Sequence, residues 1–191
     1  MFKSNKEFII FDFDGVIVDS NKIKFDTFYE IWPSQLNKNI ISNSIQQGGN
    51  RVNIISRIYN SADIFSNSNH STKSYIDAYS DSVHKKIIKL GVSKGILHFL
   101  KATKKTLFIN SATPQKELIN LCSDLKIDKY FAGIFGTPKS KKENFNFIFE
   151  NKQIKAHQVV FFGDMKSDKE VAQALKIEFH PIFSKESDLE K

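Results

Sequence analysis

Residues 7–20 read EFIIFDFDGVIVDS, and this stretch decides the fold because it joins an apolar strand to an acidic turn. The near-continuous apolar run from Phe8 to Phe13 is typical of a strand buried on both faces of a parallel sheet. Asp12 and Asp14 lie at the carboxyl end of that run, where open α/β sheets bind their ligands. Because residues two apart on a strand point the same way, we expect both carboxylates to face one crevice.

The spacing of Asp12 and Asp14 indicates chemistry as well as structure. Two like charges so close together repel, and they tolerate each other only beside a cation or with a shared proton. Gly15 follows at once and lets the chain turn sharply. Aspartate and glycine are common in turns, but Asp-x-Asp-Gly directly after a buried strand rarely arises by chance. The pattern therefore predicts a functional site at this edge of the sheet.

Further along, short apolar runs alternate with segments of helical period. The predicted strands after the first are Thr106–Asn110, Ile134–Phe135, Val159–Phe162 and Ile177–Phe183. The predicted helices are Ser93–Thr103, Pro114–Asp124, Lys141–Asn151 and Asp168–Leu175. Their starting signals are a Thr113-Pro114 cap and two capping boxes, Ser140 with Glu143 and Ser167 with Glu170. This alternation predicts an α/β fold with a Rossmann-like parallel sheet core and helices on both faces.

Residues 21–88 have a different character. They are rich in Asn, Ser and Ile and contain no strong candidate for a buried strand. A helical period is visible at Val52, Ile55 and Ile58. We therefore predict a small helical domain inserted into an α/β core domain that comprises residues 1–20 and 89–191.

Within the insertion, Gly48-Gly49-Asn50-Arg51 is a candidate substrate-binding segment. Arginine binds carboxylate or phosphate through two parallel bonds, and two glycines let the backbone approach a ligand closely. A turn between two helices, followed by a solvated arginine, explains the same residues equally well.

Composition limits the partners and the compartment. The 191-residue chain carries a formal net charge of +7, but its lysines are scattered without a long basic run, which disfavours nucleic acid as a partner. Cys122 is the one cysteine, so an internal disulfide is excluded and a reducing cytoplasm is the expected compartment. No stretch approaches the roughly 18 apolar residues that a membrane span requires, so no membrane association is expected.

A second acidic motif, Gly163-Asp164-Met165-Lys166-Ser167-Asp168, follows another buried run. It again places carboxylates where a strand ends and a helix begins. Asp164 is the better metal-ligand candidate, while Asp168 also suits the first turn of a helix because it complements the helix dipole. With Asp12 and Asp14 they form an all-oxygen set, which favours Mg²⁺ over zinc.

Two further segments offer groups that bind an anion. Asn110-Ser111-Ala112-Thr113-Pro114 places a serine between a strand and a helix start, although a simple helix cap explains it too. Gly136-Thr137-Pro138-Lys139-Ser140-Lys141-Lys142 places Lys141 in the first turn of a helix, where the dipole disfavours a cation unless an anion lies opposite. The sequence does not decide among Lys139, Lys141 and Lys142, and a solvated basic loop is the alternative.

These four segments, in this order, resemble the four motifs of the haloacid dehalogenase superfamily. DFDGVIVDS looks especially like the phosphoglycolate phosphatase and β-phosphoglucomutase branch, which carries a helical cap inserted after the first motif. Met165 and Lys166 depart from the small polar residues usual in the fourth motif. The resemblance implies a Mg²⁺-dependent enzyme that hydrolyses a phosphate monoester of a small metabolite.

The resemblance also implies a role for each residue. Asp12 would accept the phosphoryl group as an aspartyl-phosphate, and Asp14 would act as general acid and then general base. The implied metal ligands are the Asp12 side chain, the Asp14 backbone carbonyl, Asp164 and, in support, Asp168. The implied phosphoryl-binding groups are Ser111, the Ala112 backbone and Lys141.

Several alternatives stay open at this point. An acid at Asp14 favours phosphate chemistry over dehalogenation, since a halide leaves without a proton, but a phosphosugar mutase shares the same core. A non-catalytic phosphate-binding protein on this fold is disfavoured, because a decayed site would be expected to lose at least one of the acids or the lysine. The oligomeric state is left as monomer or homodimer.

Overall fold

The computed structural model describes residues 5–62 and 71–182, and the chain divides into two compact units. One unit contains Met1–Ser20 and Leu90–Lys191, and the other contains Asn21–Lys89. The second unit differs from the predicted insertion only by Lys89 at its carboxyl end. The role of this second unit as a cap domain stays a prediction.

The first unit is built on a five-stranded parallel sheet. Its strands are β1 (Phe8–Phe11), β2 (Thr106–Pro114), β3 (Gly133–Thr137), β4 (Val159–Gly163) and β5 (Glu178–Pro181). The order across the sheet is β3-β2-β1-β4-β5, so β1 is central. Phe11 lies opposite Ile109 of β2 and Phe162 of β4, which brings the residues after these three strands to one edge. The predicted α/β fold with a Rossmann-like parallel sheet is confirmed.

Central placement explains the apolar sequence of β1. Ile9, Ile10 and Phe11 are fully buried, as expected for a strand covered on both faces. On one side, Phe145 packs edge-on against Phe161 with ring centroids 5.1 Å apart. Burying each such side chain contributes on the order of 1.5–3 kcal/mol. The core therefore holds the carboxyl edge of the sheet in a defined geometry.

Helices connect the strands of the first unit. They are α5 (Lys94–Ala102), α6 (Gln115–Asp124), α7 (Lys141–Lys152) and α8 (Lys166–Ala174). The capping box at the start of α7 is confirmed: the Glu143 amide donates to Ser140 Oγ, and the Ser140 amide donates to Glu143 Oε2 at 2.7 Å. It places Lys141 at the first helical position.

The predicted Thr113-Pro114 cap is wrong, and α8 begins earlier than predicted. β2 continues past Asn110 to Pro114, with a register shift relative to β3, and α6 begins only at Gln115. Thr113 is therefore not a cap, because its hydroxyl is engaged elsewhere in the fold. α8 begins at Lys166, two residues before the predicted start.

The predicted capping box of Ser167 with Glu170 is wrong as well. The Asp168 carboxylate takes that place, accepting the Met165 amide at 3.1 Å. The remaining boundaries differ by a few residues, as is usual for element ends. Phe183, the predicted end of β5, lies outside the described residues.

The second unit is helical. Its helices are α1 (Asn21–Glu30), α2 (Lys38–Gln46), α3 (Arg51–Asn60) and α4 (Thr72–Leu90). Aromatic pairs form its interior, with ring centroids 4.3 Å apart for Trp32 and Tyr75 and 4.6 Å apart for Phe28 and Tyr79.

The predicted apolar period of α3 is partly wrong. Ile55 and Ile58 are fully buried, but Val52 is 44% exposed and Ile54 is buried in its stead. Val52 lies in the first turn of α3, so the buried face of the helix begins two residues later, at Ile54.

Candidate active site

Asp12 directly follows β1 and is held by the neighbouring strand. Its amide donates to the Phe162 carbonyl at 2.8 Å, continuing the pairing of β1 with β4. The residue is only 4% exposed, and its Oδ1 accepts the Phe13 amide at 2.6 Å. The second carboxylate oxygen, Oδ2, accepts a hydrogen bond from Lys141 Nζ at 2.6 Å.

Lys141 joins two of the predicted acids. Its Nζ lies 2.6 Å from Asp12 Oδ2 and 2.5 Å from Asp168 Oδ1. Of the three lysines that the sequence left open, Lys142 is exposed, and Lys139 is exposed with its Nζ 4.6 Å from the centroid of the Phe147 ring. Lys141 is the one whose ammonium enters the acidic site.

Three carboxylates come together at this edge. Asp12, Asp164 and Asp168 each offer an oxygen, and the three oxygens lie within 4.8 Å of one another. Asp168 is fully buried against Gly163, where an added Cβ would lie 2.5 Å from the Asp168 Cβ. Glycine at that position therefore lets Asp168 approach the end of β4.

Burial and charge together set the protonation of this group. Burial, with the nearby charges of Asp168 and Asp14 acting in the same direction, raises the pKa of Asp12 to about 7, although Lys141 opposes the shift. Burial alone lowers the pKa of Lys141, but the carboxylates of Asp12 and Asp168 outweigh it, and the net pKa is raised. The raised pKa favours the charged form of Lys141, while the pKa of Asp12 lies close to neutral pH.

Asp14 has neutral polar partners. Ser20 Oγ donates to its Oδ1 at 2.6 Å, and Thr113 Oγ1 donates to its Oδ2 at 2.8 Å. Its side chain is not among the three carboxylates found together in residues 5–62 and 71–182. The predicted metal contact through its backbone carbonyl stays a prediction.

The proposed phosphoryl-binding residues lie at the end of β2. Ser111 is buried, and its Oγ accepts the Thr113 amide at 3.2 Å, while Ala112 is exposed. Sequence reasoning missed Ser20 as a partner of Asp14 and misread Thr113 as a cap. A hydroxyl next to an acidic turn is a weak signal, and neither contact could be inferred from spacing.

A third omission is Asn110. This residue is fully buried within β2, and its amide bonds to Asn144 and to the backbone of Lys141. An asparagine at the end of the apolar run Leu107–Ile109 was a usable signal, since a buried amide requires specific partners.

The predicted Arg51 segment lies in the helical unit. Gly48 and Gly49 both have positive φ, and Arg51 begins α3 after the Asn50 cap. Arg57 Nη2 donates to the carbonyls of Ser44 and Gly48, so Arg57 holds the turn together. Substrate binding by Arg51 stays a prediction.

The donor set fits a divalent cation. With all groups ionised, three carboxylates and one ammonium leave two negative charges uncompensated. Hard carboxylate oxygens with space for waters are typical of Mg²⁺ sites. Acids and a buried lysine at the carboxyl edge of a parallel sheet characterise an α/β enzyme that acts on an anionic substrate.

Comparison with known proteins identifies the family. The model of the haloacid dehalogenase-like hydrolases matches residues 9–182, and the chain belongs to this family. The predicted family and the prediction of an enzyme of the hydrolase class are therefore confirmed.

Individual relatives agree with this assignment. A phosphorylated carbohydrates phosphatase of Thermotoga maritima is 26% identical over 184 residues, covering 90% of this chain and 82% of that protein. The structure of a suggested beta-phosphoglucomutase of Thermotoga maritima is 20% identical with a TM-score of 0.68, covering 96% of this chain and 90% of that one. A predicted phosphoglycolate phosphatase of Haemophilus somnus 129pt is 16% identical with a TM-score of 0.67, covering 93% and 85%. At such identities the two structures show the fold alone.

No helix in the described part of the chain is long and apolar enough to cross a membrane. Cys122 is a buried free cysteine. The cytoplasmic location and the monomer or homodimer stay predictions.

Proposed function

We propose that this protein is a Mg²⁺-dependent phosphatase that hydrolyses the phosphate monoester of a small metabolite through an aspartyl-phosphate on Asp12. The observation that carries the proposal is the contact of Lys141 with Asp12 and Asp168, within reach of Asp164. The relative named for phosphorylated carbohydrates makes sugar phosphates the first substrates to test.

Asp12 is the nucleophile in this proposal. Its Oδ1 accepts the Phe13 amide, which fixes the carboxylate plane. Lys141 Nζ donates to Oδ2, and a phosphoryl oxygen would compete for the same ammonium. Attack on phosphorus would divide one difficult displacement into two easier ones.

Asp14 carries the proton. As general acid it would protonate the leaving oxygen, and as general base it would then take a proton from the water that attacks the aspartyl-phosphate. Ser20 and Thr113 hold its two oxygens, so the carboxyl group is oriented before substrate arrives.

The remaining groups would bind charge. Asp12, Asp164 and the supporting Asp168 would hold Mg²⁺, together with the Asp14 backbone carbonyl. Bound Mg²⁺ supplies electrostatic stabilisation of the phosphoryl oxygens. Ser111, the Ala112 backbone and Lys141 would bind the same oxygens from the protein side. Monoester hydrolysis without an enzyme is among the slowest of reactions, so fixed charges of this kind are required.

The test is phosphate release from p-nitrophenyl phosphate and from a panel of sugar phosphates. We expect activity with Mg²⁺, loss of activity with EDTA and its return when Mg²⁺ is restored. Asp12→Asn should be inactive, while Asp128→Asn, which changes an exposed aspartate of the same unit, should match the wild type. An inert wild-type protein on the whole panel would contradict the proposal.

A phosphosugar mutase is the alternative outcome of the same experiment. The suggested beta-phosphoglucomutase shares the fold, and the proposed chemistry of Asp12 and Asp14 serves both reactions. With β-glucose 1-phosphate as substrate, free phosphate supports the phosphatase, and glucose 6-phosphate supports the mutase.

A further inference from the structure

Two buried asparagines connect the end of β2 to the start of α7. Asn110 is fully buried and immediately precedes Ser111, and its Nδ2 donates to the Lys141 carbonyl at 2.9 Å. Its Oδ1 accepts Asn144 Nδ2 at 3.1 Å. Asn144 Nδ2 also donates to a second acceptor, the Gly136 carbonyl oxygen, at 3.3 Å. We refer to Asn110 and Asn144 as the asparagine pair.

Burial of the asparagine pair in the core between β2 and α7 carries a desolvation cost. Burying an amide costs free energy unless its hydrogen bonds are satisfied, and an aliphatic side chain would pack in the core at no such cost. The bonds do not extend the sheet ladder, since they run from side chains to the backbone of β3 and of α7. Their shared effect is to tie the backbone of Lys141 to the strand that carries Ser111.

We propose that the asparagine pair positions Lys141 against Ser111, so that the ammonium and the hydroxyl meet the same phosphoryl group. This inference rests on the proposed function, in which both residues bind phosphoryl oxygens. The pair does not touch substrate in this role and acts entirely through Lys141.

The geometry of Lys141 makes such positioning necessary. Its ammonium donates hydrogen bonds to both Asp12 and Asp168. A shift of the first turn of α7 by about one ångström would move the ammonium relative to both carboxylates. Misplacements of that size can lower turnover by about 100-fold.

The experiment is a double-mutant cycle that combines Asn110→Ala with Lys141→Ala. It measures kcat/KM for phosphate release and, separately, the binding of inorganic phosphate by calorimetry in the presence of Mg²⁺. Asn144→Ala is the second variant, in case Asn110→Ala does not fold. Ile148→Val is the control, because Ile148 is a buried core residue of α7 that makes none of these bonds.

With Lys141 present, Asn110→Ala should lower kcat/KM by about 10- to 100-fold, while Ile148→Val should keep the wild-type value. In the Lys141→Ala background, Asn110→Ala should change kcat/KM by less than about twofold, since residues that act through one group are not additive. An equal loss in both backgrounds would show a general structural effect and overturn the inference.

The same cycle separates this inference from the proposed function. If the wild type hydrolyses nothing, the phosphatase proposal fails, and the cycle is read from phosphate binding alone. Weaker binding in Asn110→Ala that depends on Lys141 then supports positioning. If Asn110→Ala binds phosphate as tightly as the wild type does, the inference that the asparagine pair positions Lys141 is overturned. It is overturned equally if the wild type is active and Asn110→Ala keeps full activity.

Discussion

Asp12 and Asp14 are two residues apart, yet the side chains that donate hydrogen bonds to them differ in kind. Asp12 lies among charges, with Lys141 on one oxygen and two further carboxylates within 4.8 Å. Asp14 instead accepts hydrogen bonds from two neutral hydroxyls, those of Ser20 and of Thr113 in β2. The same residue type thus has a charged donor at one position and neutral donors at the other, which is how one site can give two carboxylates different roles.

The difference matches the two roles that a phosphoryl transfer requires. A nucleophile must be held ionised beside a cation, which the surroundings of Asp12 favour once a metal is bound. A proton carrier needs partners that tolerate both of its protonation states. Hydroxyls do so, because each can donate to a carboxylate or accept from a carboxylic acid.

The largest expected effect is that of removing the nucleophile. Asp12→Asn should lower kcat by about 10⁴-fold or more on every substrate, since the proposal assigns the attack on phosphorus to the Asp12 carboxylate alone. The loss should be the same for p-nitrophenyl phosphate and for an alkyl phosphate such as a sugar phosphate. Steady-state phosphate release measures it, and residual activity within tenfold of the wild type would assign the nucleophile elsewhere.

Removing the proton carrier should instead give a loss that depends on the leaving group. Asp14→Asn should lower kcat on a sugar phosphate by about 10²- to 10⁴-fold, the usual range for general acid–base catalysis. On p-nitrophenyl phosphate the first step needs no protonation, so stopped-flow should show a burst of p-nitrophenol equal to the enzyme concentration. If Asp12→Asn and Asp14→Asn behave alike on both substrates, the contrast between the two carboxylates is wrong.

Mg²⁺ binding should respond to pH through Asp12. Burial raises the pKa of Asp12 to about 7, so below that pH the metal must displace a proton. Apparent Mg²⁺ affinity should therefore fall by up to about tenfold for each pH unit below 7 and level off above it. Calorimetric titration from pH 5 to 8 measures this slope.

The control for the pH slope is Asp12→Asn, which has no proton to displace at that position. Its Mg²⁺ affinity should be weaker and nearly independent of pH near 7. A slope that persists in Asp12→Asn would assign the titration to another group of the site.

The two carboxylates also show how far sequence reasoning reaches. The acidic turns after β1 and β4 could be predicted because buried parallel strands and their carboxyl ends leave local signals. Lys141 could not be separated from Lys139 and Lys142, since the choice depends on which side chain the first turn of α7 directs inward. Local caps are equally ambiguous: Thr113 looks like one in sequence.

A local signal does not identify partners that are distant in the chain. Thr113 donates to a carboxylate 99 residues away, and Asn110 bonds to the start of a helix 31 residues further on. Both contacts depend on the parallel sheet bringing separate strand ends together. Such pairs require the structure, because neither spacing nor composition reports them.

The smallest expected effect concerns the hydroxyls around Asp14. Thr113→Val keeps the shape of the side chain and removes the donor to Asp14 Oδ2, so kcat should fall by about tenfold, as for loss of one hydrogen bond to a charged group. Thr113→Ser keeps the hydroxyl and should stay within about twofold of the wild type. In an Asp14→Asn background Thr113→Val should add no further loss, because the hydroxyl acts through Asp14. A full tenfold loss in that background would mean that Thr113 stabilises the fold of β2 and does not act through Asp14. Of the two hydroxyls that bond to Asp14, only that of Ser20 could then support its proposed role as proton carrier.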